Sequence, residues 1–439
     1  MNTIATIVQF LILFVGGFNA SQPDWRWAQA FQVAHGVFID DALLMLYLLA
    51  MAISGRIVMI RTNHRALLYA LMIALLAGVG ILSAGVNGHA LTDFGEALRV
   101  LLLAAYFLLA VHWSAARRDP VVLRVFLLGI AAGGLVNLYS VFTDPLDVVG
   151  SMPVLRARNG AGGPLALGVS LGAWLMLQRR SRRDVGTALF AAIVGTIGAA
   201  LSFSRTAMLI AACGLGAWLW VLAGALATRH LRRVGVAAIT VLLAAGVYAA
   251  QSQTARDIGF GVVRSIQVKF GYLDLNDKRS LGGRYMYFFG VGELLVEHPL
   301  LGVSYSGFYD AITSTALYRS GVMGDEDPDT GRAGYSNPHN SFLYYAAANG
   351  LPGLTLVVML FVVFVRALWV SLARDGTVGR VVCIGVGLAY FVYGMTLPSM
   401  FNTEVLFLSA ATAMGLAVRQ PVSLVRPAQA ALHSVQASA

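Results

Sequence analysis

The chain has 439 residues, 58% of them hydrophobic and 12% charged, and its formal net charge at pH 7 is +10. Because about a quarter of the residues in an average soluble domain are charged, this composition excludes a soluble globular protein and indicates a protein embedded in a membrane. A basic excess can also indicate nucleic-acid binding, but here the arginines are divided among short loops between apolar segments. We therefore expect the lipid bilayer to be a partner of the chain and nucleic acid not to be one.

Twelve apolar segments are long enough to cross roughly 30 Å of hydrocarbon as helices of about 20 residues. They begin near Ile4, His35, Ala66, Ala97, Val121, Ala161, Val185, Ala207, Val234, Gly353, Val381 and Thr403. The predicted fold is an all-α polytopic membrane protein of about 12 transmembrane helices with one long, partly helical loop. The predicted divisions are helices one to nine in residues 1–250, the loop in 251–352, helices ten to twelve in 353–420, and a tail in 421–439.

The arginines predict the orientation of these helices, because short loops rich in arginine stay on the cytoplasmic side. Alternate loops and the tail carry them: Arg56, Arg61, Arg65, Arg117, Arg118, Arg124, Arg179, Arg180, Arg182, Arg183, Arg229, Arg232, Arg233, Arg366, Arg374, Arg380, Arg419 and Arg426. Both termini are therefore expected in the cytoplasm, and the long loop on the opposite face. The first segment lacks a basic region before it, so we interpret it as a retained helix rather than a removed signal peptide.

The long polar stretch from Gln251 to Asn337 contains eight basic and ten acidic residues. A loop of this length is usually functional or disordered. Within it, Tyr285 to Val296 is predicted to form an amphipathic helix that lies at the membrane interface and stops at His298-Pro299.

Three cationic or titratable positions on the outer face are candidate functional residues. Arg205 lies at a tight turn between two predicted spans, where an unpaired guanidinium costs roughly 3 kcal/mol. Arg284 follows Gly282-Gly283, which we expect to be flexible, and His339 begins a predicted helix. The alternatives are structural: a membrane anchor or ion pair for Arg205, a side chain of Arg284 that only reaches toward the membrane surface, and a structural histidine.

Four short motifs resemble those of the O-antigen ligase and polymerase superfamily. They are Leu201-Ser202-Phe203-Ser204-Arg205-Thr206, Gly283-Arg284-Tyr285, Glu297-His298-Pro299-Leu300-Leu301-Gly302-Val303, and Pro338-His339-Asn340-Ser341-Phe342-Leu343 with Gly350-Leu351-Pro352-Gly353. The resemblance covers about residues 195–353, whereas the first 150 residues resemble the family only in hydropathy.

The resemblance implies a multi-pass glycosyltransferase of the bacterial inner membrane with its active site facing the periplasm. Such an enzyme takes a glycan from an undecaprenyl diphosphate carrier and transfers it to an acceptor hydroxyl. A WaaL-type ligase, whose acceptor is lipid A-core, is the first expectation, because the chain ends soon after its last span. A Wzy-type polymerase and an O-linked oligosaccharyltransferase are the alternatives.

The chemistry of such a transfer suits the three candidates. Arginine stays protonated and binds phosphate oxygens through two hydrogen bonds, so Arg205 and Arg284 are expected to stabilise the leaving diphosphate. A neutral imidazole accepts a proton near pH 7, so His339 is the expected general base. The expected substrate contacts are Asn340, Ser204, Tyr285 and Tyr335. No metal or other cofactor is expected, because the sequence has no metal-ligand cluster beside these motifs.

Two other classes of protein remain open on the sequence. A secondary transporter would also have an intramembrane arginine and a helix broken at Gly350-Leu351-Pro352-Gly353, although no internal repeat relates two halves of the chain. A membrane scaffold protein would have no cavity joining Arg205, Arg284 and His339. Cys213 and Cys383 lie in predicted spans and indicate neither a disulfide nor a metal site.

Overall fold

The computed structural model describes residues 3–21, 43–47, 49–50, 64–116, 120–143, 148–149, 152–153, 158–178, 181–202, 204–226, 281–319, 338 and 340–396. Its helices, numbered here in chain order, are α1 Thr3–Ala20, α2 His64–Val86, α3 Ala90–Ala116, α4 Val121–Thr143, α5 Arg158–Leu177, α6 Arg182–Leu201, α7 Arg205–Leu226, α8 Leu281–Glu297, α9 Phe308–Ser314, α10 Ala316–Arg319, α11 Ser341–Leu372 and α12 Gly376–Thr396. Residues 43–47 and 49–50 are also helical. The antiparallel strands β1 Val148–Val149 and β2 Met152–Pro153 complete the described elements, and a 3-10 turn, Ala373–Asp375, precedes α12.

The prediction of a helical membrane protein is confirmed for the described part of the chain. Seven of its helices, α2, α3, α4, α6, α7, α11 and α12, are long and apolar enough to cross a membrane. The shorter apolar helices α1 and α5 correspond to two more of the predicted segments. The predicted segments that begin near His35, Val234 and Thr403 lie wholly or largely outside the described residues.

Small residues allow the helices to approach closely, as they do in many membrane bundles. A Cβ atom added to Gly195 would lie 2.9 Å from Val169, and one added to Gly214 would lie 2.8 Å from Ser170. These contacts make Gly195 and Gly214 packing positions, whereas nothing lies within 4 Å of a Cβ added to Gly216. Helix α5 is therefore enclosed by α6 and α7.

Polar contacts between helix ends fix the direction of the helices around α5. The amide of Gln178, just after α5, donates to Asp375, just before α12, so these two helices are antiparallel. At the other end of α12, Met395 accepts a hydrogen bond of 3.6 Å from the side chain of Asn340, which precedes α11. The start of α7 lies beside the start of α5, since a Cβ on Gly162 would be 3.2 Å from Ala207. Helices α5, α7 and α11 thus begin at one end of the bundle, which we call the site end.

The opposite end of the bundle contains a buried ion pair between two helices that start there. Arg124 of α4 lies 2.7 Å from Asp184 of α6, whose side chain has no exposed surface. Asp184 also accepts hydrogen bonds from the backbone and side chain of Ser181, which caps α6. At least one arginine from the predicted cytoplasmic set therefore has a specific structural partner.

Candidate active site at the helix starts

Helix α11 is broken at Gly350, as the sequence Gly350-Leu351-Pro352-Gly353 predicts. Gly350 has φ of 66° and ψ of −161°, which no residue of a continuous helix adopts. In an unbroken helix Ala347 and Ala348 would accept hydrogen bonds from the amides of residues 351 and 352. Proline has no amide hydrogen, and the amide of Leu351 donates elsewhere, so the break deprives both carbonyl groups of helical partners.

The segment 299–304, which follows α8, provides the missing partners. The amide of Val303 donates to Ala347 O at 2.9 Å, and the amide of Ser304 donates to Ala348 O at 3.0 Å. In the other direction, Leu351 N donates to Pro299 O at 2.9 Å. Two sequence motifs separated by almost 50 residues therefore form one hydrogen-bonded unit, which we call the break clamp.

Glycine is required on both sides of the break clamp because the two backbones touch. Gly302 has φ of 65°, and a Cβ there would lie 2.6 Å from the carbonyl carbon of Ala348. A Cβ on Gly350 would lie 2.6 Å from Pro299 O. Positive φ and close backbone approach are the two reasons for which glycine is irreplaceable. The glycines of these two motifs are therefore explained by packing and backbone geometry.

The helical hairpin of α2 and α3 holds the break clamp from the other side. Ser83 Oγ donates to Ala348 O at 2.8 Å, and Asn87 Nδ2 donates to Gly302 O at 3.2 Å. Asp93, which is 2% exposed, accepts from the amide of Tyr305 at 2.9 Å and from the amide of Ser306 at 3.1 Å. Asn87 and Asp93 therefore attach residues 302–306 to the α2–α3 hairpin, and Ser83 attaches α11 to it at the break.

Tyr305 joins the break clamp to the first part of α11 through its aromatic ring. The ring stacks on Tyr344 with centroids 5.7 Å apart and meets Tyr345 edge to face. Its hydroxyl accepts from Asn349 Nδ2 at 3.0 Å, and Asn349 is fully buried. The first turns of α11 are therefore held in place by polar and aromatic contacts on the site-end side of the break.

Helix α8 packs along the same part of α11, with its C-terminal end at the break. Tyr287, Val291 and Leu294 of α8 form an apolar cluster with Ala346 and Ala347 of α11. The predicted end of this helix before His298-Pro299 is confirmed, since α8 ends at Glu297.

Helix α8 begins earlier than the sequence predicts, at Leu281. The flexible hinge expected at Gly282-Gly283 is therefore wrong, and both glycines lie in the first turn of the helix. Arg284 and Tyr285 follow on the same first turns, and their side chains lie outside the described part of the structure. Because α8 lies on the site-end side of the break, the backbone of Arg284 lies there as well.

Arg205 is the first residue of α7 and is preceded by a capping serine. The hydroxyl of Ser204 accepts a hydrogen bond of 3.4 Å from the amide of Ala207, and the backbone amide of Ser204 donates to Ser202 Oγ at 3.2 Å. Ser204 is 7% exposed. The side chain of Arg205 is not among the described ones, but its backbone position is at the site end.

Asn340 caps α11. Its Oδ1 atom accepts from the amides of Phe342 at 2.9 Å and Leu343 at 3.1 Å, while Nδ2 donates to Met395. Asn340, with 2% of its surface exposed, therefore has a structural role as a helix cap in addition to its expected contact with substrate. His339, the residue directly before this cap, and Tyr335 lie outside the described residues.

The structure thus assigns two of the candidates to helix starts, Arg205 to α7 and Arg284 to α8. His339 lies outside the described residues and directly precedes, in sequence, the residue that caps α11. No acidic residue occupies the first turn of any of these helices. A helix start carries a partial positive charge, so basic residues there are unfavourable by about 0.3 to 1 kcal/mol without an anion. In the described part of the chain, no group of three His, Cys, Asp or Glu side chains is arranged to hold a metal ion.

Sequence reasoning missed Asp93, Ser83, Asn87 and Asn349 as residues that build this site. The available signal was weak: Asp93 is a carboxylate at the start of an apolar segment, where a charge needs a partner. Its partners are backbone amides more than 200 residues away in the chain, and no local pattern reveals them.

The comparison with protein families agrees with the location of these motifs. A family model described as O-antigen ligase matches residues 190–358, which is less than half of the chain. That interval contains all four motifs, the start of α7, the whole of α8 and the break clamp. A search of curated proteins finds no significant match. Over residues 190–358 the chain is therefore similar to the O-antigen ligase family, a similarity that supports the ligase and polymerase superfamily without separating its two activities.

Proposed function

We propose that the protein is a membrane glycosyltransferase that moves a glycan from undecaprenyl diphosphate to an acceptor hydroxyl at the periplasmic face. The observation that carries the proposal is the match to the O-antigen ligase family over the region that contains the starts of α7 and α11 and all of α8. Members of that family are membrane glycosyltransferases. In the preferred form of the proposal the enzyme is a ligase whose acceptor is lipid A-core, and both of its termini are cytoplasmic.

The diphosphate would be bound by Arg205 and Arg284. Each lies in the first turn of a helix, where unpaired amides and the helix dipole favour an anion. A guanidinium at such a helix start increases the attraction for a diphosphate. Without a bound anion, its positive charge would be unfavourable there. The two arginines therefore stabilise the negative charge that develops on the diphosphate as it leaves.

The acceptor would be activated by His339. In a single in-line displacement, the acceptor oxygen forms a bond to the anomeric carbon while the bond from that carbon to the phosphate oxygen breaks. The hydroxyl proton passes to the imidazole, the electron pair leaves with undecaprenyl diphosphate, and the anomeric configuration inverts. Asn340 supports this role by holding the start of α11 directly after His339.

The acceptor distinguishes the ligase from its alternatives, because the family match is equally compatible with a Wzy-type polymerase. An O-linked oligosaccharyltransferase, with a protein hydroxyl as acceptor, is the further alternative. The broken helix is a feature that a secondary transporter would share, but its geometry here gives that alternative little support. The carbonyl groups of Ala347 and Ala348 already accept hydrogen bonds from Val303, Ser304 and Ser83, so they do not form a vacant ion site.

The test is reconstitution of the purified protein in vesicles with an undecaprenyl diphosphate-linked glycan and one acceptor at a time. Transfer to lipid A-core identifies a ligase, transfer to a second lipid-linked repeat identifies a polymerase, and transfer to a protein identifies an oligosaccharyltransferase. Arg205→Ala, Arg284→Ala and His339→Ala should each abolish transfer, whereas Arg319→Ala, at an exposed arginine in α10, should not. Absence of transfer to every acceptor by the intact protein would refute the proposal.

A further inference from the structure

Helix α8 has two faces of different environment. Tyr287, Val291 and Leu294 are at most 3% exposed and pack against α9 and α11. The opposite face carries Phe288, Phe289, Gly292 and Val296, with exposures of 44% for Phe288, 54% for Phe289 and 83% for Val296. A Cβ on Gly292 would meet nothing within 4 Å. We call these four residues the apolar face of α8.

The apolar face of α8 contains no charged residue. Glu293, at its flank, is turned towards the chain, since its carboxylate accepts from the amides of Ala316 at 2.5 Å and Leu317 at 3.4 Å. Exposed side chains on an ordinary solvated helix are mostly polar. Two phenylalanines and a valine on the exposed side therefore indicate an environment other than water.

The surface continues from α8 onto the exposed side of α11. Leu300, just after α8, is 73% exposed, and Leu351, just after the break, is 49% exposed. From Leu351 an exposed stripe follows α11 at helical spacing through Thr355, Val358, Val362, Arg366 and Trp369. It is free of charge from Leu351 to Val362, and Arg366 lies towards the far end of the helix. Because α11 is a candidate membrane span, this stripe is the side that faces lipid.

The length of α11 indicates the depth of the break. At about 1.5 Å per residue, residues 351–372 are about 33 Å long, against roughly 30 Å of membrane hydrocarbon. Arg366 lies in the last two turns of this length, where a long arginine side chain extends to the membrane surface. Leu351 therefore lies at the boundary of the hydrocarbon, and Leu300 and Val296 lie beside that boundary. Helices with an apolar face are seated at this depth in the membrane interface.

We propose that the apolar face of α8 contacts the lipid of the membrane leaflet at the site end. Helix α8 is then an interfacial helix that continues the lipid-facing surface of α11, while Tyr287, Val291 and Leu294 on its opposite face pack against protein. The bilayer is the favoured occupant because one continuous apolar surface joins this face to a membrane span. The inference does not depend on the proposed enzymatic function.

The test uses single nitroxide labels in vesicles of phosphatidylethanolamine and phosphatidylglycerol. The chain has two cysteines, so Cys213→Ala and Cys383→Ala give a background for Phe289→Cys and Val296→Cys. Ser314→Cys, at the exposed end of α9, is the matched control. Collision of each label with oxygen, which dissolves in lipid, is compared with collision with a water-soluble nickel chelate by electron paramagnetic resonance.

Labels at positions 289 and 296 should collide more with oxygen than with nickel, and the label at 314 should show the reverse. Nickel accessibility at 289 and 296 equal to that at 314 would overturn the proposal. Shielding of both positions from both reagents would also overturn it, because a second protein surface would then cover α8. Circular dichroism of the labelled variants checks that each one retains its helices.

Discussion

The carboxylate of Asp93, at the start of α3, accepts a hydrogen bond of 2.9 Å from the backbone amide of Tyr305. The contact joins the first half of the chain to the segment that donates hydrogen bonds to the free carbonyl groups at the break in α11. Asp93 also accepts from the amide of Ser306 at 3.1 Å, so one side chain holds the turn at residues 305–306. The position of α11 at the site end therefore depends on a residue far from it in sequence.

Asp93→Ala should destabilise the protein by about 1 to 3 kcal/mol, because it leaves the buried amide of Tyr305 without a partner. Asp93→Asn retains one acceptor oxygen and should cost less. Thermal unfolding in detergent measures the loss of stability in both variants. Hydrogen exchange of residues 303–307 should be faster in Asp93→Asn than in the unchanged protein, and fastest in Asp93→Ala. Unchanged exchange in Asp93→Ala would contradict the role of Asp93.

Gly302→Ala and Gly350→Ala should each cost at least about 1 to 3 kcal/mol, because both residues have positive φ. The added methyl group would also collide with backbone on the other side of the break clamp. Gly292→Ala is the matched control: it lies inside α8 in open space and should stabilise the helix by up to about 1 kcal/mol. Midpoints of thermal unfolding give the comparison, and equal effects of the three changes would contradict the steric argument.

Arg124→Ala should destabilise the bundle by about 3 to 5 kcal/mol, because it leaves the buried carboxylate of Asp184 without its counter-ion. Arg183→Ala, at an exposed position in α6, removes the same charge without this contact and should have little effect. The measurement is again thermal unfolding in detergent. The double variant Arg124→Ala with Asp184→Asn should recover part of the loss, and no recovery would argue against direct pairing.

Asn340 allows the capping role to be separated from the predicted contact with a sugar. Asn340→Ala should cost about 1 kcal/mol of stability and reduce transfer by displacing His339. Asn340→Asp and Asn340→Ser, which cap helices as well, should restore stability. If stability returns and transfer does not, then the amide of Asn340 has a role with the substrate beyond its cap, and a steady-state assay with varied acceptor concentration would reveal it.

Periodic and local features were predictable from the sequence. Apolar length identified the helices, proline ended α8 at Glu297, and Gly350 with Pro352 marked the break in α11. These features depend on neighbouring residues, and a single sequence is sufficient to recognise them. The start of α8 was missed because glycine usually disfavours helices, although the tertiary packing of α8 overrides that preference here.

Long-range pairing was not predictable in the same way. The partners of Ala347 and Ala348 lie in residues 303–304, and the partner of Tyr305 lies at Asp93. The motifs containing Gly302 and Gly350 were visible as a resemblance, but their physical reason appears only when the two backbones are brought together. The expected meeting of Arg205, Arg284 and His339 stays a prediction.

The break at Gly350 also affects how the protein can be made. Two carbonyl groups of α11 have no partner in their own helix and obtain one from chain that is synthesised earlier. Hydrocarbon offers no water to replace such partners, so α11 entering a bilayer alone would carry unpaired carbonyls at its border. We therefore expect residues 299–304 to stay close to α11 while the helix is being inserted. Its release into the lipid and its docking onto these residues would then occur together.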